Sequence, residues 1–416
     1  MNKQTSIIQK ESYPVIIAYV SKLGVFLILM LGIYIMMTAS SCNNKIQDSF
    51  NFTGQTGGHE GPPATAGPPM DPESWHIVPG TVLGGDDVWG HRVNARTTFK
   101  IPGGMGLLYS SHPGPDKQQD SEWRSNQIAQ GLTTGPSGSL AFTRDLFNWY
   151  DYPGNPVLNE VKRSWQTPAR VHTRDMFYDP ENKRWVAYFS NIPDDDQPET
   201  SFPGVRVAGL AYSKDLVNWE YSDGPILTIE DYAAMVPERI EATEEELNEY
   251  GRVYPNWAMH HNGRYYLTIN GTETVGEHER EGTRSLSVGQ ILVVGESPEG
   301  PFEHVSDIEA DNIFRLKPLY WNEKWYTIFA DTWDGQPGFG LAWSDDLFGP
   351  YTYNIDNPII AVESTQRSNP MLFNYEGIWG VLFSQAGYAW EPLPLRLAIT
   401  NIHPSLLMPE VENSGR

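Results

Sequence analysis

The chain has 416 residues, of which 39% are hydrophobic, so it is long enough to bury a large core. Its formal net charge of -23, from 52 acidic and 29 basic residues, argues against a nucleic-acid partner, because such proteins carry basic patches. The 14 Trp, 21 Tyr and 16 Phe residues suit strand packing, and they also suit stacking on the CH faces of sugar rings.

Residues 1–42 have the pattern of a secretory signal. Lysines precede a short apolar run at 23–37, and small residues then lead to Cys42, the single cysteine of the sequence. The tetrapeptide ASSC that ends at Cys42 resembles a bacterial lipobox. We therefore expect an exported bacterial protein of the cell envelope, lipid-anchored through Cys42 in the outer membrane or the periplasm. The alternative is an uncleaved membrane span, since the apolar run with its flanks nearly crosses a bilayer.

Composition divides the rest of the chain into three parts. Residues 43–72 are rich in Gly, Pro, Ser and Thr, which predicts a flexible tether. Residues 73–405 carry the apolar and aromatic strands and form the predicted folded domain, and 406–416 form a C-terminal tail. With no second cysteine, we expect no internal disulfide.

One phrase recurs along the predicted domain, beginning at Thr143, Ser213 and Ser344. Each copy joins a hydroxyl residue, an Asp-Leu pair, an aromatic cluster and a proline followed by apolar residues, and a degenerate copy begins at Ser297. A unit that recurs in this way predicts a repeat architecture.

Five hairpins accompany the phrase, each followed by a third strand. Their first strands begin near Arg96, Arg174, Tyr254, Lys317 and Asn369, and the phrase supplies a fourth strand. Five units of four antiparallel strands predict an all-β fold, a five-bladed β-propeller. A β-sandwich is disfavoured because sandwiches do not repeat one phrase in this register. Only residues 242–251 predict a helix.

The hairpin followed by S-x-D-L-x-x-W and P-x-L resembles the five-bladed glycoside hydrolases of the furanosidase group, families 32, 43, 62, 68 and 117. The resemblance covers about residues 75–402. It implies a glycosidase acting on a polysaccharide or oligosaccharide, with its site on the face where the first strand of each blade begins. Glycoside hydrolysis uses an acid and a second carboxylate as base or nucleophile.

Asp175 is the leading catalytic candidate. The pair Arg174-Asp175 resembles the R-D-P motif of these families, which implies a transition-state stabiliser or pKa modulator kept ionised by the neighbouring Arg. The alternative is an aspartate that caps a turn. A catalytic acid and base about 6.5–9.5 Å apart would invert the anomeric centre.

The other two carboxylates of the pattern are missing. Blade one holds Thr97 where an Asp is expected, so Asp87, just upstream, is the candidate base. Blade three holds Val253 where a Glu is expected, so the candidate acid is Glu273 in the following loop, with Glu277 and His278 as alternatives. Each of these three also fits an ordinary solvated loop residue.

An R-x-x-P pattern precedes the first strand of blades three, four and five, at Arg252, Arg315 and Arg367. A guanidinium pairs well with carboxylate or sulfate, which favours an anionic substrate, a uronate or a sulfated glycan. Salt bridges between blades are the alternative. The candidate substrate-binding residues are Arg174, His172, Arg315, Arg367 and Trp333.

No His or Cys cluster has zinc-site spacing, so no metal site or cofactor is expected, although a single structural cation in the channel is left open. The second functional hypothesis is a surface glycan-binding propeller lipoprotein without catalysis. The fold alone does not choose between the two.

Overall fold

The structure is a computed structural model. It describes residues 67–84, 89–161, 166, 171–191, 207–240, 243, 247, 251–275, 284–307, 316–363, 367–385 and 392–400, with the backbone alone for 272–275, 284–289 and 367–368. The chain divides into two units, Met1–Asn51 and Phe52–Arg416, and every described residue belongs to the second.

Within the described residues, twenty-one strands form five antiparallel sheets. The first strand, β1 (Trp75–Ile77), belongs to the last blade. Blade one comprises β2 (Arg92–Ile101), β3 (Gly104–His112), β4 (Ser137–Thr143) and β5 (Trp149–Asp151). Blade two comprises β6 (His172–Asp179), β7 (Arg184–Asn191), β8 (Val207–Ser213) and β9 (Glu220–Tyr221).

The remaining blades repeat this order. Blade three comprises β10 (Arg252–His261), β11 (Arg264–Val275), β12 (Arg284–Gly295) and β13 (Phe302–Asp307). Blade four comprises β14 (Leu319–Trp321), β15 (Lys324–Trp333), β16 (Gln336–Ser344) and β17 (Thr352–Tyr353), with β18 (Ile360–Ala361) also paired to β16. Blade five comprises β19 (Arg367–Tyr375), β20 (Ile378–Gln385) and β21 (Leu395–Thr400). The predicted five-bladed propeller is confirmed.

The outer strand of blade five comes from the start of the domain, which the sequence analysis did not anticipate. Strand β1 pairs antiparallel with β21, with Trp75 opposite Thr400. The contacts begin earlier still, because Asn354 Nδ2 donates to Met70 O at 2.5 Å and Trp75 Nε1 donates to Pro69 O at 3.1 Å. Part of the predicted tether, from residue 67, therefore lies against the propeller.

The repeated phrase forms a turn that leads into the outer strand. In blade one, Asp145 Oδ1 accepts from the Asn148 N–H at 2.8 Å, and Trp149 Nε1 donates to Leu146 O at 2.8 Å. Blade two repeats this geometry with Asp215 and Trp219. The phrase is a structural element of the blade.

Helices are few and short in the described part of the chain. They are α1 (Pro115–Gln119), α2 (Ser121–Ala129) and α3 (Ile229–Met235), with 3-10 turns at Pro72–Ser74 and Pro237–Arg239. The expectation of a single helical segment at 242–251 is wrong, because α1, α2 and α3 lie elsewhere. Most of 242–251 lies outside the described residues, although Leu247 N donates to Thr243 O at 2.9 Å. None of the described helices has the length and apolar character to cross a membrane.

The hydrophobic core lies between neighbouring blades. One cluster, for example, joins Phe177 and Tyr188 of blade two to Leu267 and Ile269 of blade three. Packing of this kind fixes each blade against the next, so the inner strands β2, β6, β10, β14 and β19 converge on the channel and bring their side chains together there.

Candidate active site

The inner strands carry β-bulges at corresponding positions near their amino-terminal ends. The register shifts lie between Ala95 and Thr97 in β2, Thr173 and Asp175 in β6, Pro255 and Trp257 in β10, and Ser368 and Met371 in β19. A bulge adds a residue to one strand and redirects its side chains. Adjacent residues such as Arg174 and Asp175, which alternate between faces in a regular strand, are thereby both placed in the site.

The Asp175 carboxylate is held by groups from three blades. Its Oδ1 accepts a short hydrogen bond from the Thr97 hydroxyl of blade one, and its Oδ2 accepts from the Ala258 N–H of blade three at 2.8 Å. Thr97 Oγ1 in turn accepts from the Met176 N–H at 3.1 Å. Asp175 is only 4% exposed. Its position is therefore fixed by the assembled ring of blades.

Lys317 supplies the cation beside this carboxylate. Its Nζ lies 3.8 Å from Asp175 Oδ1 and donates to Arg96 O at 3.1 Å and Arg174 O at 3.3 Å. The motif indicated Arg174 as the ionic partner, but Arg174 Nε donates instead to Ser190 Oγ at 3.1 Å. Burial raises the pKa of the Asp175 carboxyl above its ordinary value, outweighing the lowering effects of Lys317 and the hydrogen bonds.

Two arginines lie in the channel mouth with aromatic and imidazole neighbours. The Arg174 guanidinium carbon lies 4.6 Å from the centroid of the Tyr254 ring, within the range of a cation–π contact. Arg96 Nη2 lies 2.8 Å from His172 Nε2. Because an arginine only donates, His172 Nε2 is the acceptor in this contact. The His172 ring meets His112 edge-on at 5.2 Å.

Buried basic side chains lie near the starts of the inner strands. Arg96, Arg174 and Arg252 are buried at the starts of the inner strands, and the Lys317 side chain is 12% exposed. Among the described acidic residues only Asp175 and Asp179 are buried, and Asp179 lies at the opposite end of β6. Of these four cationic side chains, Lys317 is the one that lies beside the Asp175 carboxylate, with Nζ 3.8 Å from Oδ1.

A cavity of about 70 Å³ lies in the channel next to Asp175 and Lys317. Apolar side chains, among them Phe177, Leu319 and Phe373, form much of its lining. Ligand pockets usually occupy roughly 300–1,000 Å³, so this cavity accommodates water and not a sugar ring.

The structure brings together three of the residues predicted from the sequence, Asp175, Arg174 and His172. Trp333 lies at the end of β15 and packs against Phe329, with ring centroids 5.9 Å apart, inside its own blade. The backbone of Glu273 lies in β11 opposite Leu286, in a strand instead of the predicted loop, and the backbone of Arg367 lies in β19 opposite Gln385.

Several predicted residues lie outside the described part of the chain. They are the candidate base Asp87, the candidate ligand Arg315, the candidate acids Glu277 and His278, and the predicted lipidation site Cys42. The described residues contain no group of three or more His, Cys, Asp or Glu side chains arranged to hold a metal ion.

Sequence analysis did not identify the partners of Asp175. Thr97 was noted only as the residue that replaces an expected Asp, and Lys317 was given no role. A usable signal existed for Lys317, because it stands immediately before the proline of an R-x-x-P pattern, as Tyr254 and Asn369 do in blades three and five. Ala258 contributes through its backbone N–H, so its residue type could not have indicated this role.

No protein-family model matches this chain, and no curated protein sequence matches it. The chain is similar to a solved family 43 β-xylosidase/α-arabinofuranosidase from a compost microbial metagenome in complex with xylotriose. That structure is 10% identical, with a TM-score of 0.48, over 79% of this chain and 97% of that chain. At this identity the likeness is one of backbone architecture.

Two further structures are similar in the same way. The α-L-arabinofuranosidase of Podospora anserina in complex with cellotriose is 11% identical, with a TM-score of 0.44, over 80% of this chain and 99% of that chain. A family 117 glycoside hydrolase of the marine bacterium Zobellia galactanivorans is 12% identical, with a TM-score of 0.46, over 80% of this chain and 93% of that chain.

Proposed function

We propose that this protein is a glycoside hydrolase that acts on an anionic polysaccharide or oligosaccharide, a uronate or a sulfated glycan. The observation that carries the proposal is one buried, rigidly held carboxylate, Asp175, which lies beside the ammonium group of Lys317 on inner strands that also carry the buried arginines Arg96, Arg174 and Arg252. A perturbed carboxyl fixed by groups from several blades is typical of a functional site.

Asp175 acts in this proposal as a stabiliser of the transition state. Both of its oxygens accept hydrogen bonds from the protein, and its side chain is 6% exposed, so it is poorly placed to attack a sugar or to deliver a proton. An oxocarbenium-like transition state gains positive charge, which a fixed carboxylate below the ring stabilises. The acid and the base are then supplied by other carboxyl groups, and Glu273 and Asp87 remain our candidates.

The anionic substrate is supported by the basic side chains of the mouth. Arg174 is held by Ser190 and Tyr254, and Arg96 by His172, so both guanidinium groups are ordered before a ligand arrives. Ordered guanidinium groups bind carboxylate or sulfate with geometric selectivity. The proposal therefore includes discrimination against neutral glycans.

The test is a screen of the purified protein on matched neutral, uronate-containing and sulfated oligosaccharides, read by product release. The wild-type protein should cleave charged oligosaccharides in preference to neutral ones, and Asp175→Asn should abolish cleavage while retaining binding. The matched control is Asp356→Asn, at an exposed carboxyl far from the channel residues in sequence, which should leave cleavage unchanged.

Three outcomes would count against the proposal. Cleavage by Asp175→Asn at the wild-type rate would show that Asp175 has no role in the active site. Equal cleavage rates on neutral and charged substrates would show that the protein has no preference for anionic substrates. Binding by the wild-type protein without release of any product would favour a binding protein.

The second candidate function is non-catalytic glycan binding. It is favoured by one observation: among the described acidic residues only Asp175 is buried at this end of the inner strands, whereas hydrolysis of a glycosidic bond uses two carboxyl groups. Affinity electrophoresis in charged and neutral polysaccharides, combined with the product assay, separates the two functions. Retardation without product release identifies a binder.

We further propose that the protein is exported and anchored in the cell envelope by lipidation of Cys42. The support is the sequence pattern of residues 1–42. In a bacterial host, labelled palmitate should enter the wild-type protein and not Cys42→Ala, and the variant should leave the membrane fraction. Labelling of Cys42→Ala at the wild-type level would contradict lipidation at this residue.

A further inference from the structure

We propose that the ammonium group of Lys317 is a built-in cation of the propeller channel, which ties three blades together and positions the Asp175 carboxylate. In this arrangement Lys317 replaces the single free cation that the sequence analysis left open. The proposal concerns assembly of the site, so it does not depend on the glycosidase activity.

The geometry gives Lys317 three oxygen neighbours from two other blades. Its Nζ donates to Arg96 O of blade one at 3.1 Å and to Arg174 O of blade two at 3.3 Å, and it lies 3.8 Å from Asp175 Oδ1. Lys317 itself lies two residues before β14 of blade four. An ammonium has three donors and no acceptor, so it can donate to both carbonyl groups while its charge faces the Asp175 carboxylate.

The two carbonyl groups belong to residues in the bulges of β2 and β6. At a bulge the extra residue leaves the regular ladder, so its carbonyl group is available to another donor. Bulges in neighbouring blades thus expose two oxygens to the channel, and Lys317 supplies the cation that satisfies both. This accounts for the position of Lys317 without any ligand.

The same residues fit a free metal ion poorly. Ca²⁺ takes six to eight oxygen ligands at roughly 2.3–2.6 Å, and Mg²⁺ requires a near-octahedral set. The oxygens here already face an ammonium, which would repel a second cation at close range. The described residues also contain no cluster of carboxylate or imidazole groups that could complete such a shell.

Because Lys317 and Asp175 are both largely buried, the charge of each is stabilised by the other. The Lys317 side chain is 12% exposed and that of Asp175 is 6% exposed. Removing the ammonium would leave a buried carboxylate and two channel carbonyls without their cation, which is strongly unfavourable. A small external cation that reaches the resulting space should recover part of the loss.

The experiment is thermal unfolding of the full chain, comparing the wild-type protein, Lys317→Ala and Lys317→Met, each with and without methylammonium, KCl, CaCl₂ or a chelator. The wild-type Tm should not respond to CaCl₂ or chelator. Lys317→Ala should lower the Tm on the order of 10 °C, and methylammonium should restore part of it. Lys317→Met should lose similar stability without restoration, because its side chain fills the space.

The matched control is Lys324→Ala. Lys324 is an exposed lysine of blade four that forms a surface ion pair with Asp345, so its loss should change the Tm little and should show no response to methylammonium. A double variant, Lys317→Met with Asp175→Asn, should lose less stability than the two single variants lose in total, because neutralising both partners removes the unpaired charge.

A fall in the wild-type Tm on chelation would overturn the proposal, because it would reveal a metal in the channel. An unchanged Tm in Lys317→Ala, or additive losses in the double variant, would overturn it as well. If Lys317→Ala does not fold, Lys317→Met and the double variant still give the coupling. No substrate is required, so a failed activity screen leaves this result intact.

Discussion

The hydroxyl group of Thr97 forms hydrogen bonds with two consecutive residues of the neighbouring blade, Asp175 and Met176. It donates to Asp175 Oδ1 and accepts from the Met176 N–H at 3.1 Å. At this position a threonine stands where the related motif has an aspartate. The structure therefore gives this position a hydrogen-bond donor to Asp175 in place of the carboxylate that the resemblance led us to expect.

Thr97→Val removes this bridge while keeping the shape of the side chain. We expect it to lower the free energy of unfolding by about 1–3 kcal/mol, because the Met176 N–H and Asp175 Oδ1 each lose a buried partner. Urea titration measures the change. Thr97→Ser, which retains the hydroxyl, should stay close to the wild-type protein. A loss of equal size in the serine variant would show that packing of the methyl group matters and not the hydrogen bond.

The stability of the protein should carry a pH dependence from Asp175. Burial raises the pKa of its carboxyl in the folded state above the ordinary value of 3.8, so the folded protein binds this proton more tightly than the unfolded chain. The contribution of Asp175 to stability is therefore greatest below pH 3.8 and is lost as the pH rises through the raised pKa.

The measurement is the difference in free energy of unfolding between the wild-type protein and Asp175→Asn from pH 3.5 to 7. Asparagine does not titrate, so the free energy of unfolding of the wild-type protein, relative to that of Asp175→Asn, should fall as the pH rises and then level off. If the relative free energy of unfolding of the wild-type protein rises over this range instead, the pKa of Asp175 in the folded state is lowered.

Arg174→Lys should weaken binding of charged glycans. A lysine retains the charge but reproduces neither the Nε bond to Ser190 nor the stacking on Tyr254. We expect affinity for a uronate or sulfated oligosaccharide to fall about 10- to 100-fold, from the roughly 1.5–3 kcal/mol of a hydrogen bond to a charged group. Calorimetry measures the change.

The control for this variant is Arg239→Lys, at an arginine that pairs with Asp307 away from the channel. Its affinity should match that of the wild-type protein. If Arg174→Lys loses affinity for neutral and charged oligosaccharides equally, Arg174 does not read the charge of the ligand.

Closure of the ring should depend on Trp75. This residue is 7% exposed and belongs to a core cluster with Trp321 and Phe383 of blades four and five. Trp75→Ala should lower the free energy of unfolding by about 3–5 kcal/mol, since it removes a large buried side chain from the strand that completes blade five. Tyr150→Ala, at an aromatic residue that is 66% exposed, should cost less than about 0.5 kcal/mol. Similar losses in the two variants would argue against a special role for β1.

Much of the fold could be predicted because hairpins and turns are encoded locally. The Asn262-Gly263 turn between β10 and β11, for example, has φ values of 51° and 73°, which asparagine and glycine adopt readily. The Asp145 and Asp215 turns repeat one local hydrogen-bond pattern. Local signals of this kind recur in each blade, so they sufficed to count the blades and to place the start of each inner strand.

By itself, the sequence determined the blade count, the approximate start of each inner strand and the place of Asp175 near one of those starts. Only the tertiary structure decided that β1 completes blade five and that Thr97, Ala258 and Lys317 hold Asp175. The reason is physical. Strand propensity and turn chemistry act between residues close in the chain, whereas these contacts exist only after the ring closes and the inner strands of different blades meet around one channel.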